Sequence, residues 1–204
     1  MRPPGGVTDD VSVFEVRIHG RGGQGVVTAA EMLSVAAFTE GKHAQAFPTF
    51  GSERTGAPVV AFCRIADRPI RTREPIVEPD ALIVQDPTLL NQVDVFGGVG
   101  VEAYVLINTG RTFAELGLEQ FVRRFEPGRL LTVPASELAR EHLGRPLPNA
   151  ALLGGFAALT GVVTIDSVTA AIRRRFAGST GEGNVAAAVA AYDAVKEERN
   201  VAHA

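Results

Sequence analysis

Apolar and polar residues alternate from Val11 to Ile18, a period of two that predicts a β-strand with one buried face. The same reading marks Gln45 to Phe47, Val59 to Ile65, Ala81 to Gln85, Ala103 to Ile107 and Leu130 to Val133 as extended. Between them, Val26 to Phe38 and Thr112 to Arg124 carry apolar positions at helical spacing, and from Pro134 the chain reads as helical almost to its end. Strands alternating with helices predict an α/β three-layer sandwich with a largely parallel sheet and a helical C-terminal third. In that last third, Asn149 to Leu159 is apolar and small, Ser167 to Phe176 is amphipathic with Thr164 or Asp166 as its N-cap, and Asn184 to Glu198 is alanine-rich. Arg173, Arg174 and Arg175 close the middle helix, where its dipole favours cations, and read first as a solvated end and second as a phosphate contact.

Two stretches break the rhythm. Ala46 to Pro58 holds two prolines besides two glycines and an adjacent Glu53-Arg54 pair, so it reads as a shaped loop. Arg68 to Glu78 has two prolines and five charges and reads as an extended surface excursion. A length of 204 residues suits a single domain over 1–204, with residues 1–11 expected as a flexible N-terminal tail.

The chemistry begins where the first strand ends. Gly20, Gly22, Gly23 and Gly25 fall within six positions and lead straight into the first helix. Glycine permits positive φ and close approach of a ligand, and amides at a helix N-terminus attract anions. The backbone amides of Arg21 to Gly25, the Arg21 guanidinium and Gln24 are therefore the candidate holders of a phosphate or carboxylate. Gly20, Gly22 and Gly25 fit G-x-G-x-x-G, but no acidic residue ends a second strand about 20 residues on, so dinucleotide binding is weakly supported. No G-K-[ST] ending follows, which excludes a standard P-loop. A lone glycine match also arises where a strand and a helix simply pack closely.

Net charge is −3, from 20 basic and 23 acidic residues mixed along the chain, so the broad basic field of a nucleic-acid binder is absent. No apolar run is long enough for a membrane span and the start has no signal-peptide core, which predicts a cytoplasmic protein. The single cysteine, Cys63, can neither close an internal disulfide nor ligate a four-thiolate cluster, and reads as a small buried hydrophobe. His19 and His43 read as packed histidines, and Glu53 with Arg54 as a structural or interfacial ion pair. Nothing supplies a matched acid and base, so no catalytic residue and no metal ligand is assigned to this chain.

Ile18-His-Gly-Arg-Gly-Gly-Gln-Gly25, followed by Ala44-Gln-Ala-Phe-Pro-Thr-Phe-Gly-Ser-Glu-Arg-Thr-Gly-Ala-Pro58, resembles the γ subunit of pyruvate and related 2-oxoacid:ferredoxin oxidoreductases. Asp80 to Asp86, Pro148 to Phe156 and Gly181-Glu-Gly-Asn-Val185 extend the resemblance over roughly residues 12 to 198. The Glu-Arg-x-Gly-Ala-Pro form is similar to the pyruvate-type chains, although many members carry arginine where Thr55 stands. The resemblance implies a complex that oxidatively decarboxylates a 2-oxoacid to an acyl-coenzyme A and passes electrons to ferredoxin. It places thiamine diphosphate, Mg and iron-sulfur clusters in α, β and ferredoxin-like δ partners, with coenzyme A as co-substrate. It leaves this chain to scaffold the complex and shape the coenzyme A site, through Gly20, Arg21, Gly22, Gly23, Gln24, Gly25, Glu53, Arg54 and Gly56. Two other readings stand beside it: a free-standing dinucleotide-binding oxidoreductase, and a purely structural interaction subunit.

Overall fold

A computed structural model describes residues 12–49 and 55–202. The 1–11 tail and the Glu53-Arg54 pair lie outside the described residues. Strands β1 (Val13–Arg21), β2 (His43–Pro48), β3 (Pro58–Ala66), β4 (Ala81–Val84), β5 (Tyr104–Asn108) and β6 (Leu130–Val133) form one sheet in the order β2-β3-β1-β4-β5-β6. β1, β4, β5 and β6 are mutually parallel. β3 runs antiparallel to both β1 and β2. The sheet is thus largely parallel, with β1 inside it. The antiparallel strand is a hairpin return: β2 and β3 are joined by a short loop, too short for the crossover a parallel pair needs.

Helices α1 (Val26–Thr39), α3 (Ala135–Leu143), α4 (Asn149–Thr160), α5 (Ile165–Arg175) and α6 (Gly178–Ala202) build the core on one face of the sheet. Val16 and Ile18 of β1, Ala61, Cys63 and Ile65 of β3, Ala81 and Ile83 of β4, Leu106 of β5 and Leu131 and Val133 of β6 point into it. Helix α4 is apolar all round because it is surrounded, and Asn149 to Leu159 are all buried. Gly154 lets α6 cross it closely: a Cβ there would collide with the Ala188 carbonyl. Thr164 caps α5, its hydroxyl accepting the Ser167 N–H at 3.2 Å. Cys63 is fully buried and burial pushes its thiol up to about 12, so it behaves as the small hydrophobe its setting predicts.

The opposite layer is thin. Leu82, Val84, Val105, Ile107 and Leu130 meet Leu89 of a 3-10 turn at Pro87–Asn91 and Val95, Val99 and Phe125 of loops, with Phe121 and Val122 of α2 (Glu119–Val122) packed against them. The helix expected over Thr112 to Arg124 is reduced to that single turn. Gly117, at φ 73°, breaks the run, and Glu115 turns back to accept from the Thr112 N–H and hydroxyl. The excursion after Asp67 is irregular, as expected, but Ile76 within it is buried, and Arg17 of β1 anchors it. That guanidinium donates to the carbonyls of Ile76 (3.4 Å), Val77 (3.1 Å), Val95 (3.0 Å) and Gly97 (2.5 Å).

Candidate functional site

β1 leads through α1 to β2 and β3 on one side of the sheet, whereas β4 leads to β5 on the other. The carboxyl ends of β1 and β4 therefore flank the point where strand order reverses, the place where open α/β sheets bind ligands. The glycine turn occupies it. Gly23 (φ 94°) and Gly25 (φ 71°) both adopt conformations that disfavour a side chain, and Gly25 is the N-cap of α1. Gly20 is needed for space: a Cβ there would lie 2.6 Å from Val26 Cγ2 and 3.1 Å from the side-chain oxygens of Gln24 and Gln85.

The turn is held from within and from both flanks. Arg21 N–H donates to Gln24 Oε1 at 2.8 Å, and Gln24 N–H to the Arg21 carbonyl at 3.0 Å. Gly22 N–H donates to the Ala57 carbonyl at 2.9 Å, and Gly56 N–H returns to the Gly22 carbonyl at 3.0 Å. The Arg21 guanidinium faces protein acceptors: Nε donates to Asp86 Oδ2 (3.0 Å), Nη1 to the Gly56 carbonyl (3.0 Å), and Nη2 to Thr88 Oγ1 and Gln92 Oε1 (2.7 Å each). Asp86 is the hub. It also accepts from Gln24 Nε2 at 2.9 Å and from the Thr88 N–H and hydroxyl at 3.0 and 2.6 Å, capping the 3-10 turn. Partial burial pushes the Asp86 carboxyl up, but the donors from Thr88 and Gln24 and the Arg21 charge outweigh it and hold it below the usual range.

Beside the turn opens a cavity of about 370 Å³, lined by Gly23, Gln24, Gly25 and Thr28 on one wall and by Arg145, Asn149, Phe176 and Asn184 among others on the facing one. Two helix N-termini, those of α1 and α4, reach it. Asn149 packs so tightly on the turn that a Cβ on Gly25 would sit 2.5 Å from its Nδ2. The donors gathered here are amides, an arginine and carboxamides, which suits an anionic or polar ligand. A second cavity of about 320 Å³ lies between the turn, α1 and Val59 of β3.

The structure thus brings Gly20 to Gly25 and Gly56 into one site, and leaves Glu53 and Arg54 outside the described residues. His19 is buried, whereas His43, read from sequence as packed, is exposed at the sheet edge where β2 starts. Burial pushes the His19 imidazole down to about 4, helped by the Arg17 charge and opposed by Asp94. No site role is read from the sequence for Asp86, Arg145, Asn149 or Asn184, although Asp86, Asn149 and Asn184 fall in segments that carry the resemblance; the signal for Asp86 is its place just past a strand at the reversal point. Among the described residues, no three His, Cys, Asp or Glu are grouped to hold a metal, and no helix is long and apolar enough to cross a membrane.

The family model described as pyruvate ferredoxin/flavodoxin oxidoreductase matches residues 15–194, a span that includes the glycine turn and all the strands after it. The chain belongs to this family, and within it to the γ subunits of pyruvate/2-oxoacid:ferredoxin oxidoreductases. Pyruvate synthase subunit PorC of Methanothermobacter marburgensis is 47% identical over 184 residues, covering 90% of this chain and 98% of that one. The common γ subunit of the pyruvate/ketoisovalerate oxidoreductases of Pyrococcus furiosus is 50% identical over 181 residues, covering 89% and 96%. The crystal structure of pyruvate oxidoreductase subunit PORC from Thermotoga maritima superposes with a TM-score of 0.74 at 32% identity, covering 89% and 96%. This chain is accordingly one component of a multi-subunit oxidoreductase.

Proposed function

We propose that this γ chain positions coenzyme A and scaffolds its partners in the oxidative decarboxylation of a 2-oxoacid, pyruvate being the favoured one. The observation that carries this reading is the cavity of about 370 Å³ where the glycine turn and the α1 and α4 N-termini converge with Arg145. Its size matches part of a coenzyme rather than the whole, so the remainder of the ligand would lie against a partner chain. The Gly23 and Gly25 amides, with Arg145, would hold a phosphate, and Asn149 and Asn184 would supply orienting carboxamides; the Arg21, Gly22 and Gln24 amides donate within the protein. In this reading, thiamine diphosphate held by partner components would supply the carbanion chemistry, and iron-sulfur clusters held by the ferredoxin-like δ component or the β component would supply the electron path to ferredoxin. Cys63 is buried among apolar side chains and cannot serve as a cluster ligand.

The test is steady-state kinetics of the assembled enzyme. Arg145→Ala should raise the apparent KM for coenzyme A about tenfold, the scale of one lost charge-assisted contact, with the KM for the 2-oxoacid unmoved. An unchanged KM for coenzyme A would remove the cavity from the coenzyme's path. Tight NAD binding by the isolated chain in calorimetry would instead favour a free-standing dinucleotide enzyme.

A further inference from the structure

The crevice at the reversal point is not open: the chain fills it with its own ion pair. Arg21 and Asp86 meet there at 3.0 Å, with side chains only 21% and 13% exposed. Between them they tie together three segments far apart in sequence. Arg21 reaches the Gly56 carbonyl on the return from the β2-β3 loop, and Thr88 and Gln92 on and after the 3-10 turn. Asp86 reaches Gln24, whose side-chain oxygen in turn closes the glycine turn onto the Arg21 N–H. Four guanidinium donations go to protein acceptors, so an anion would have to displace them to recruit the arginine. Such an exchange gains little, because it leaves Asp86, partly buried, without its cation.

We propose that Arg21 and Asp86 are positioning residues: they form a clamp that fixes the glycine turn and the Gly56 segment in the shape that presents the turn's amides to the neighbouring cavity. Arg21 then acts on a ligand through the backbone it holds, not through its own charge. The inference rests on the coenzyme A reading only for its kinetic readout; the clamp itself is read from amide protection.

A double-mutant cycle in the assembled enzyme tests it, with Arg21→Ala, Asp86→Ala and the pair combined, and Asp86→Asn as the milder variant that keeps the size and an oxygen for Thr88. Hydrogen exchange at the amides of Gly22, Gln24 and Gly56 should quicken at least tenfold in each single variant and no further in the double. The apparent KM for coenzyme A should rise about tenfold in Arg21→Ala and Asp86→Ala alike, with kcat falling far less and the double again no worse. A raised KM in Arg21→Ala with a normal KM in Asp86→Ala would overturn the proposal and make Arg21 a direct ligand. Unchanged exchange in all variants would overturn it as well. Equal loosening in all three with no change in coenzyme A kinetics would keep the clamp and reject the coenzyme A reading.

Discussion

The two faces of β1 are made by alternate residues of one strand and are stabilised by different physics. Val16, Ile18 and Gly20 face α1 and the other helices, where apolar burial and close packing dominate. Arg17, His19 and Arg21 face the thin layer, where loops are held by hydrogen bonds from buried or half-buried side chains. Arg64 of β3 continues that second pattern: it is buried, donates to Glu15 at 2.6 Å and lies over the Phe47 ring at 5.2 Å. Helices satisfy their own backbones, so their layer needs only shape. Loops do not, and their carbonyls have to be met by side chains brought from the sheet. The site sits where the two regimes join, a helix N-terminus on one side and an arginine-held loop on the other.

If the helical layer depends on shape, the largest effect should come from adding volume where none fits. Gly154→Val would drive its side chain into the Ala188 carbonyl of α6, and should cost at least about 4 kcal/mol or prevent folding. Urea unfolding of the variant checks it; a loss below 1 kcal/mol would mean that the α4-α6 contact is loose and the contrast overstated.

On the loop layer the matching lesion is chemical. Arg17→Met keeps much of the buried stem but leaves the Ile76, Val77, Val95 and Gly97 carbonyls without their donors. The cost should be about 3 kcal/mol, with faster proteolysis between residues 67 and 80 while protection in α4 and α6 persists. Uniform loosening of the whole chain would show that the two layers are not separable.

That contrast also explains what was legible in the sequence. Alternation over Val11 to Ile18 placed β1, and the apolar density of Asn149 to Leu159 placed α4, because burial writes directly into residue type. The glycine turn was legible because positive φ at Gly23 and Gly25 restricts the choice of residue. The thin layer was not. Helical spacing over Thr112 to Arg124 misled because Phe113, Leu116 and Leu118 are apolar to cover the sheet from a loop, and only Phe121 does so from the single turn of α2. Arg17 looked like the polar phase of an alternating strand, and nothing local says that its partners are four carbonyls about 60 to 80 residues away. The clamp was hidden for the same reason: Arg21 and Asp86 are 65 residues apart.

Acid should also separate the layers. An unfolded His19 takes up a proton near its ordinary 6.5, whereas the folded imidazole stays neutral to about 4. The unfolded state therefore binds more protons between those values, and stability should fall as pH drops from 7 to 4 and then level off. The full loss is about 3 kcal/mol. His19→Leu should flatten this part of the pH-stability curve, read by urea denaturation at half-unit steps; a slope that survives the substitution would assign it to other groups.

The smallest effect belongs to a place where the helical layer also relies on charge. Glu40, at the end of α1, accepts from the Thr164 N–H at 2.7 Å and from its hydroxyl at 2.8 Å, tying the α1-β2 corner to the start of α5. Burial pushes this carboxyl up, but the hydrogen bonds from Ser167 and Thr164 and the nearby Lys42 prevail and hold it below its ordinary 4.5. A carboxyl depressed in the folded state contributes stability that is complete above the unfolded value and is lost as pH falls through the folded one. Glu40→Gln should therefore cost about 1 kcal/mol at pH 7 and progressively less below pH 4.5, out of phase with the His19 slope at higher pH. The two variants together divide the acid response into a loop-layer step and a helix-corner step. If Glu40→Gln altered the slope above pH 5 instead, the corner and the His19 region would be one coupled unit, and the partition between layers would fail at α1, the helix that starts from the glycine turn.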